Sequence, residues 1–166
     1  MRPGLILAAI VVLLDQLSKW WVVETLMRPP DLSETPFYTA TRIEILPFFD
    51  LVMAWNRGVS FGIFNTDGRW NAVALSVLSI LIVGGLLTWM RKAPSPLVAL
   101  ALGGIIGGAL GNVIDRIRWG AVADFLDVHA MGYHWPAFNV ADSAISVGAV
   151  VLVLDALFAR SSSSKN

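Results

Sequence analysis

Cysteine is absent from this 166-residue chain. That single absence removes disulfides, a thiolate nucleophile, a cysteine-based metal site and lipidation on a cysteine of its own. Charge is scarce as well: 14% of residues are charged and 56% hydrophobic, against about 25% charged in a soluble domain, and the mean hydropathy is +0.68. Such a chain is read as an integral membrane protein. The formal net charge is +0, so no basic excess points to nucleic acid as a partner. The chain has only two histidines, His129 and His134. Lying in one loop, without a cysteine or a His-Glu-x-x-His helix, they make a weak case for a metal site. No metal and no cofactor is expected.

What the chain has in abundance is long apolar runs. A bilayer crossing needs roughly 20 residues, and four stretches qualify: 5–23, 71–90, 97–114 and 140–158. At this length the expectation is a single membrane-embedded unit spanning residues 1–166, with loops over about 26–70 and 115–139. The tails and the turn after Met90 carry Arg2, Arg91, Lys92, Arg160 and Lys165 and no acid, whereas the two long loops mix arginines with eight acids. The positive-inside rule then puts the termini in the cytoplasm and the long loops outside. The first run lacks a small-residue cleavage site and contains Asp15, Gln16 and Lys19, so it reads as a retained anchor rather than a signal peptide. Trp20, Trp21 and Trp70 suit an interfacial aromatic belt.

In the first long loop, Arg42 to Leu46 and Phe49 to Trp55 are rich in β-branched and aromatic residues around Pro47, a hairpin signal. Asn65 to Gly68 reads as a turn before the second span. In the third span Gly103, Gly107 and Gly111 recur every four residues, as do Gly104 and Gly108. Rows of small residues let helices approach closely in lipid. Continued, these rows reach Asp115 and Asn112, which places those side chains toward the bundle interior.

Two further acids, Asp124 and Asp142, flank the entry to the last span. Carboxylates at such depth are costly to ionise, and two that meet share one proton, so that one member deprotonates water while the other polarises a carbonyl. That chemistry is aspartyl peptide hydrolysis. A re-entrant or looped stretch over Leu126 to Asn139 would bring the two together. Other roles stay open on the residues alone. Asp142 suits an N-cap of the last helix, Asp124 suits an ion pair with Arg116 or Arg118, and Asp127 rivals either as a dyad member. A transporter or a non-catalytic assembly factor would also keep acids near membrane helices.

Taken together, Asp15-Gln16-Leu17-Ser18-Lys19, Asn56-Arg57-Gly58 with Phe61-Gly62, Gly107-Gly108-Ala109-Leu110-Gly111-Asn112-Val113-Ile114-Asp115-Arg116, Val122-Ala123-Asp124-Phe125 and Phe138-Asn139-Val140-Ala141-Asp142 resemble the lipoprotein signal peptidases (signal peptidase II). The resemblance runs in order from Asp15 to about Asp155. It implies an α-helical polytopic membrane protein of four transmembrane helices with a small extracytoplasmic β-cradle and a short surface helix. It also implies an aspartic endopeptidase of the bacterial cytoplasmic (inner) membrane, with Asp124 and Asp142 as catalytic dyad. The implied substrate is a prolipoprotein carrying diacylglycerol on cysteine, cut just before that cysteine. Asn56, Gly58, Asn112, Asp115, Arg116 and Asn139 are implied as supporting or substrate-binding residues. Membrane lipids and a globomycin-type inhibitor are implied as partners, and a monomer is expected. Asp15 and Lys19, one helical turn apart, read as a buried structural pair. Phe61 and Phe64 are candidate clamps on the substrate's acyl chains. The departures, Val59-Ser60 and Val122-Ala123, do not touch the dyad.

Overall fold

Each long helix begins and ends where its sequence permits. In the computed structural model, which describes residues 1–29, 31, 42–58 and 68–163, α1 spans Arg2–Trp20 and continues as a π-helical turn, Trp21–Leu26. Helix α2 spans Gly68–Arg91, α3 Pro96–Trp119 and α4 Val140–Ser163. Ser95 caps α3 by accepting the Val98 N–H at 3.2 Å, with Pro96 at the first helical position, where its missing N–H costs nothing. Gly120 ends α3 at φ 75°, the left-handed cap glycine tolerates best. Among the described residues, four helices are long and apolar enough to cross a membrane. Helix α3 extends beyond the expected boundary at residue 114, so Asp115 and Arg116 are helical rather than in a loop.

The central helix is α3, which packs against the other three. The two glycine rows make this possible. A Cβ at Gly103 would strike the Gly4 carbonyl, and one at Gly107 would lie 2.6 Å from the Ala8 carbonyl oxygen, so this row seats α1. A Cβ at Gly108 would strike the Ala141 carbonyl, so the other row seats α4. An apolar core of Ala8, Val83, Met90, Val98, Ala99, Leu102 and Ile106 fills the bundle. Outward faces remain apolar and exposed, as at Ile6, Leu13, Leu81 and Val147; lipid is the medium they suit.

Strands β1 (Ile43–Leu46), β2 (Phe49–Asn56), β3 (Val122–Ala130) and β4 (Tyr133–His134) form one antiparallel sheet in that order. The hairpin expected around Pro47 is β1–β2. The sheet lies at the bundle end where α1 and α3 finish and α2 and α4 begin. A second core of Val22, Val23, Met27, Leu51, Trp119, Ala123 and Phe125 joins it to the helices. The stretch 126–139 is not re-entrant. It turns at Met131-Gly132, both at positive φ, the hairpin geometry that matches strand twist, and returns so that Leu126 bridges Phe138. The expected turn at 65–67 and the clamps Phe61 and Phe64 lie outside the described residues. Among the described residues no separate short surface helix accompanies the four long helices and the π-helical turn that continues α1.

Candidate active site

Strand parity aims Asp124. On β3, Ala123 and Phe125 enter the apolar core, so the alternation of side chains turns Asp124 to the opposite face. A bulge in β2 between Leu51 and Ala54 sets the register that pairs Ala54 with Asp124 and Asn56 with Val122. Asn56 is thereby a diagonal neighbour of Asp124, and its Nδ2 donates to Asp124 Oδ2 at 3.1 Å. Asn56 Oδ1 accepts the Gly58 N–H at 2.9 Å. Gly58 sits at φ +99°, a conformation that side chains other than glycine's rarely adopt.

Asn139 caps α4. Its Oδ1 accepts the Asp142 N–H at 2.9 Å, and Asp142 Oδ2 accepts the Asn139 N–H at 3.3 Å. This reciprocal arrangement is a capping box, so the N-cap is Asn139 and Asp142 stands three residues on. Asn139 Nδ2 also donates to Asp124 Oδ1 at 2.7 Å. Asn112 Nδ2 donates to Asp142 Oδ1 at 2.8 Å, while its Oδ1 accepts from Asn139 Nδ2 at 3.2 Å. One amide thus touches both acids, and a second ties that amide to Asp142.

Asp124 is only 3% exposed. Burial first, then the neighbouring Asp142 carboxylate, push its carboxyl from 3.8 up to about 7, against the opposing pull of the Asn56 and Asn139 amides and the Lys19 ammonium. A loss of hydration and a like charge both disfavour the ionised form. Instead of a guanidinium, Asp124 has two amides as hydrogen-bond partners. Arg116 lies within electrostatic reach of both acids and its Nη1 donates to the Asn112 carbonyl at 3.4 Å. With Arg57, Ser76 and Arg118 it lines a cavity of about 780 Å³ between α2 and α3.

Behind Asp124 and Asp142, Lys19 and Asp15 meet at 2.8 Å with no exposed surface on either side chain. Lys19 also meets Asp115 at 2.7 Å. Asp115 is fully buried, so it does not reach the cavity and touches its surroundings only through these partners. Sequence reading left Gln16 without a role; its Nε2 donates to Asp115 Oδ1 at 2.9 Å. Its position between Asp15 and Lys19 was the available signal. Asp127 stands apart from Asp124 and Asp142, bonded to Arg42 at 3.1 Å and His134 at 2.8 Å. His129 stacks on His134 with ring centroids 4.7 Å apart. Among the described residues no group of three or more His, Cys, Asp or Glu is arranged to hold a metal ion.

The chain matches the family described as signal peptidase (SPase) II over residues 7–158. It belongs to that family. A lipoprotein signal peptidase of Methylorubrum extorquens (strain PA1) is 47% identical over 159 residues, 94% of this chain and 86% of the relative. One from Burkholderia thailandensis is 44% identical over 160 residues, 95% of this chain and 89% of the relative. The fold also resembles a bacterial membrane enzyme solved at 2.3 Å, with a TM-score of 0.77 and 27% identity, covering 100% of this chain and 93% of the other. A second bacterial membrane enzyme structure, at 1.9 Å, gives a TM-score of 0.77 at 28% identity, covering 95% and 94% of the two chains. As a signal peptidase II, the protein is an aspartic peptidase and a multi-pass protein of the bacterial inner membrane.

Proposed function

We propose that this protein removes the signal peptide from diacylglyceryl-modified prolipoproteins, cutting just before the lipidated cysteine, with Asp124 and Asp142 as the catalytic pair. The carrying observation is that Asn139 bonds to both acids while Asp124 is held near neutrality by burial and by Asp142. Two carboxyls so placed share a proton near neutral pH. Asp142 lies in the first turn of α4, where the helix dipole favours negative charge.

In the cycle, the charged carboxylate takes a proton from water and the resulting hydroxide oxygen adds to the scissile carbonyl carbon. The protonated carboxyl gives its proton to the carbonyl oxygen, leaving a neutral tetrahedral diol. On collapse, the carboxyl that took the proton from water gives it to the amine nitrogen as the C–N bond breaks, and the other carboxylate takes a proton from a diol hydroxyl as the carbonyl re-forms, which restores the pair. Asn56, Asn112 and Asn139 hold the two acids in place, Gly58 shapes the turn beside Asn56, and Asp115 braces from behind. Arg116 stabilises charge at the cavity wall, where an apolar side formed by Ala72, Val73, Val77 and Ile117 suits the lipidated end of the substrate.

Charge distribution puts the termini in the cytoplasm and this site on the extracytoplasmic face, so water enters from outside while the acyl chains stay in lipid. The enzyme acts as a monomer, and a globomycin-type cyclic peptide competes with substrate. The test is cleavage of a diacylglyceryl-modified prolipoprotein by purified protein in detergent, followed by gel shift. Wild type should cleave, and folded Asp124→Asn and Asp142→Asn should not. Undiminished cleavage by either variant would remove that residue from the dyad.

A further inference from the structure

We infer that Lys19 is a positioning residue for the peptidase reaction: its buried ammonium locks Asp15 and Asp115, and each of these holds the main-chain N–H just before one member of the dyad. The inference rests on Asp124 and Asp142 being the catalytic pair.

Lys19 offers three donors, and the structure gives it three acceptors: Asp15 Oδ2 at 2.8 Å, Asp115 Oδ2 at 2.7 Å and Asn112 Oδ1 at 3.1 Å. Each acceptor leads to the dyad by a different route. Asp15 Oδ1 accepts the Ala141 N–H at 2.9 Å, fixing the first turn of α4 immediately before Asp142. Asp115 Oδ2 accepts the Ala123 N–H at 3.2 Å, fixing β3 immediately before Asp124. Asn112 passes the third arm to Asp142 Oδ1 at 2.8 Å. Among the described residues no α1 side chain has a hydrogen bond to Asp124 or Asp142 themselves, yet α1 sets where both backbones stand.

The arrangement is a poor choice for stability alone. A lone ammonium between two carboxylates, all fully buried, leaves a formal excess of negative charge in an apolar bundle, where well-packed hydrophobic residues usually serve as well or better. What apolar packing cannot supply is an acceptor aimed at the Ala141 N–H, one of the donors left over at a helix start. Nor can it supply a positive charge that favours the ionised dyad; Lys19 opposes the upward push on Asp124.

The test uses full-length enzyme in detergent with a diacylglyceryl-modified prolipopeptide, measuring kcat across pH 5 to 9. Substrate affinity is read separately in the inactive Asp124→Asn background. Lys19→Met is expected to lower kcat about 100-fold or more, to leave affinity within about threefold, and to move the alkaline limb of the pH profile upward, because removing a cation makes the dyad's proton harder to lose. Asp115→Asn, which keeps an acceptor for the Ala123 N–H, is expected to retain more kcat than Asp115→Ala. Wild-type kcat and pH profile in Lys19→Met would overturn the inference. So would loss of affinity in parallel with kcat, the mark of a merely structural role. If Lys19→Met does not fold, the Asp115 pair decides: equal kcat in the two variants overturns the inference and the expected ranking supports it. Cleavage surviving in Asp124→Asn or Asp142→Asn would instead sink the dyad assignment, an outcome separable from all of these.

Discussion

Asn139 and Asp142 cap one another at the start of α4, each accepting the other's main-chain N–H, at 2.9 Å and 3.3 Å. The same Asn139 reaches Asp124 at 2.7 Å. A helix cap has therefore become the ruler that sets the separation of two acids contributed by different elements.

Asn139→Ala should damage activity far more than stability. An N-cap loss costs about 1 kcal/mol, whereas losing the side-chain amide that holds the Asp124 carboxyl and the Asp142 main-chain N–H together should lower kcat by about 100-fold, since each factor of ten is about 1.4 kcal/mol of barrier. Turnover and thermal unfolding of the same preparation check the split. A loss of unfolding midpoint without a matching loss of kcat would contradict it.

Stability should fall as the pH rises from about 4 to about 7. The folded state raises the Asp124 carboxyl from 3.8 to about 7, so across that window it binds a proton that the unfolded chain has released. Stability present below 3.8 is lost as pH climbs through the folded value, by on the order of 1–4 kcal/mol. Unfolding midpoints in detergent at pH 5 and pH 8 should differ for wild type and differ less for Asp124→Asn.

Glycine substitutions should separate by face. Gly107→Ala would drive a methyl toward the Ala8 carbonyl at 2.6 Å, and the overpacking should cost about 1–3 kcal/mol. Gly84→Ala meets nothing within 4 Å and should leave the midpoint unchanged or slightly higher. Equal midpoints for the two variants would show that the α1–α3 seam tolerates separation.

Asp127→Asn should keep kcat/KM within about threefold of wild type while lowering stability by about 1–3 kcal/mol, through the weakened contacts to Arg42 and His134. A loss of cleavage as deep as in Asp124→Asn would place Asp127 in the chemistry.

Strand parity explains why the Asp127 rivalry was open in the sequence. Asp124 and Asp127 stand three positions apart, an odd step, so on one strand they face opposite sides. Read as part of a loop, residues 126–139 carry no such rule. The apolar run of α3 ended at Ile114 by hydropathy, yet the helix continues to Trp119, with Asp115 paired to Lys19 inside the bundle rather than exposed. Polarity marked the end of the apolar run and not the end of the hydrogen-bonded helix.

The sequence alone determined the medium, the four spanning helices, the glycine seam and the acids worth suspecting, since these follow from local composition and spacing. Tertiary structure alone decided that Asn139 rather than Asp142 caps α4, that a β2 bulge brings Asn56 beside Asp124, and that Lys19 links α1 to the backbone ahead of both acids. Those facts depend on strand register and on contacts across as many as 126 positions. No local pattern encodes them, because a side chain's partner is set by where the rest of the chain has packed.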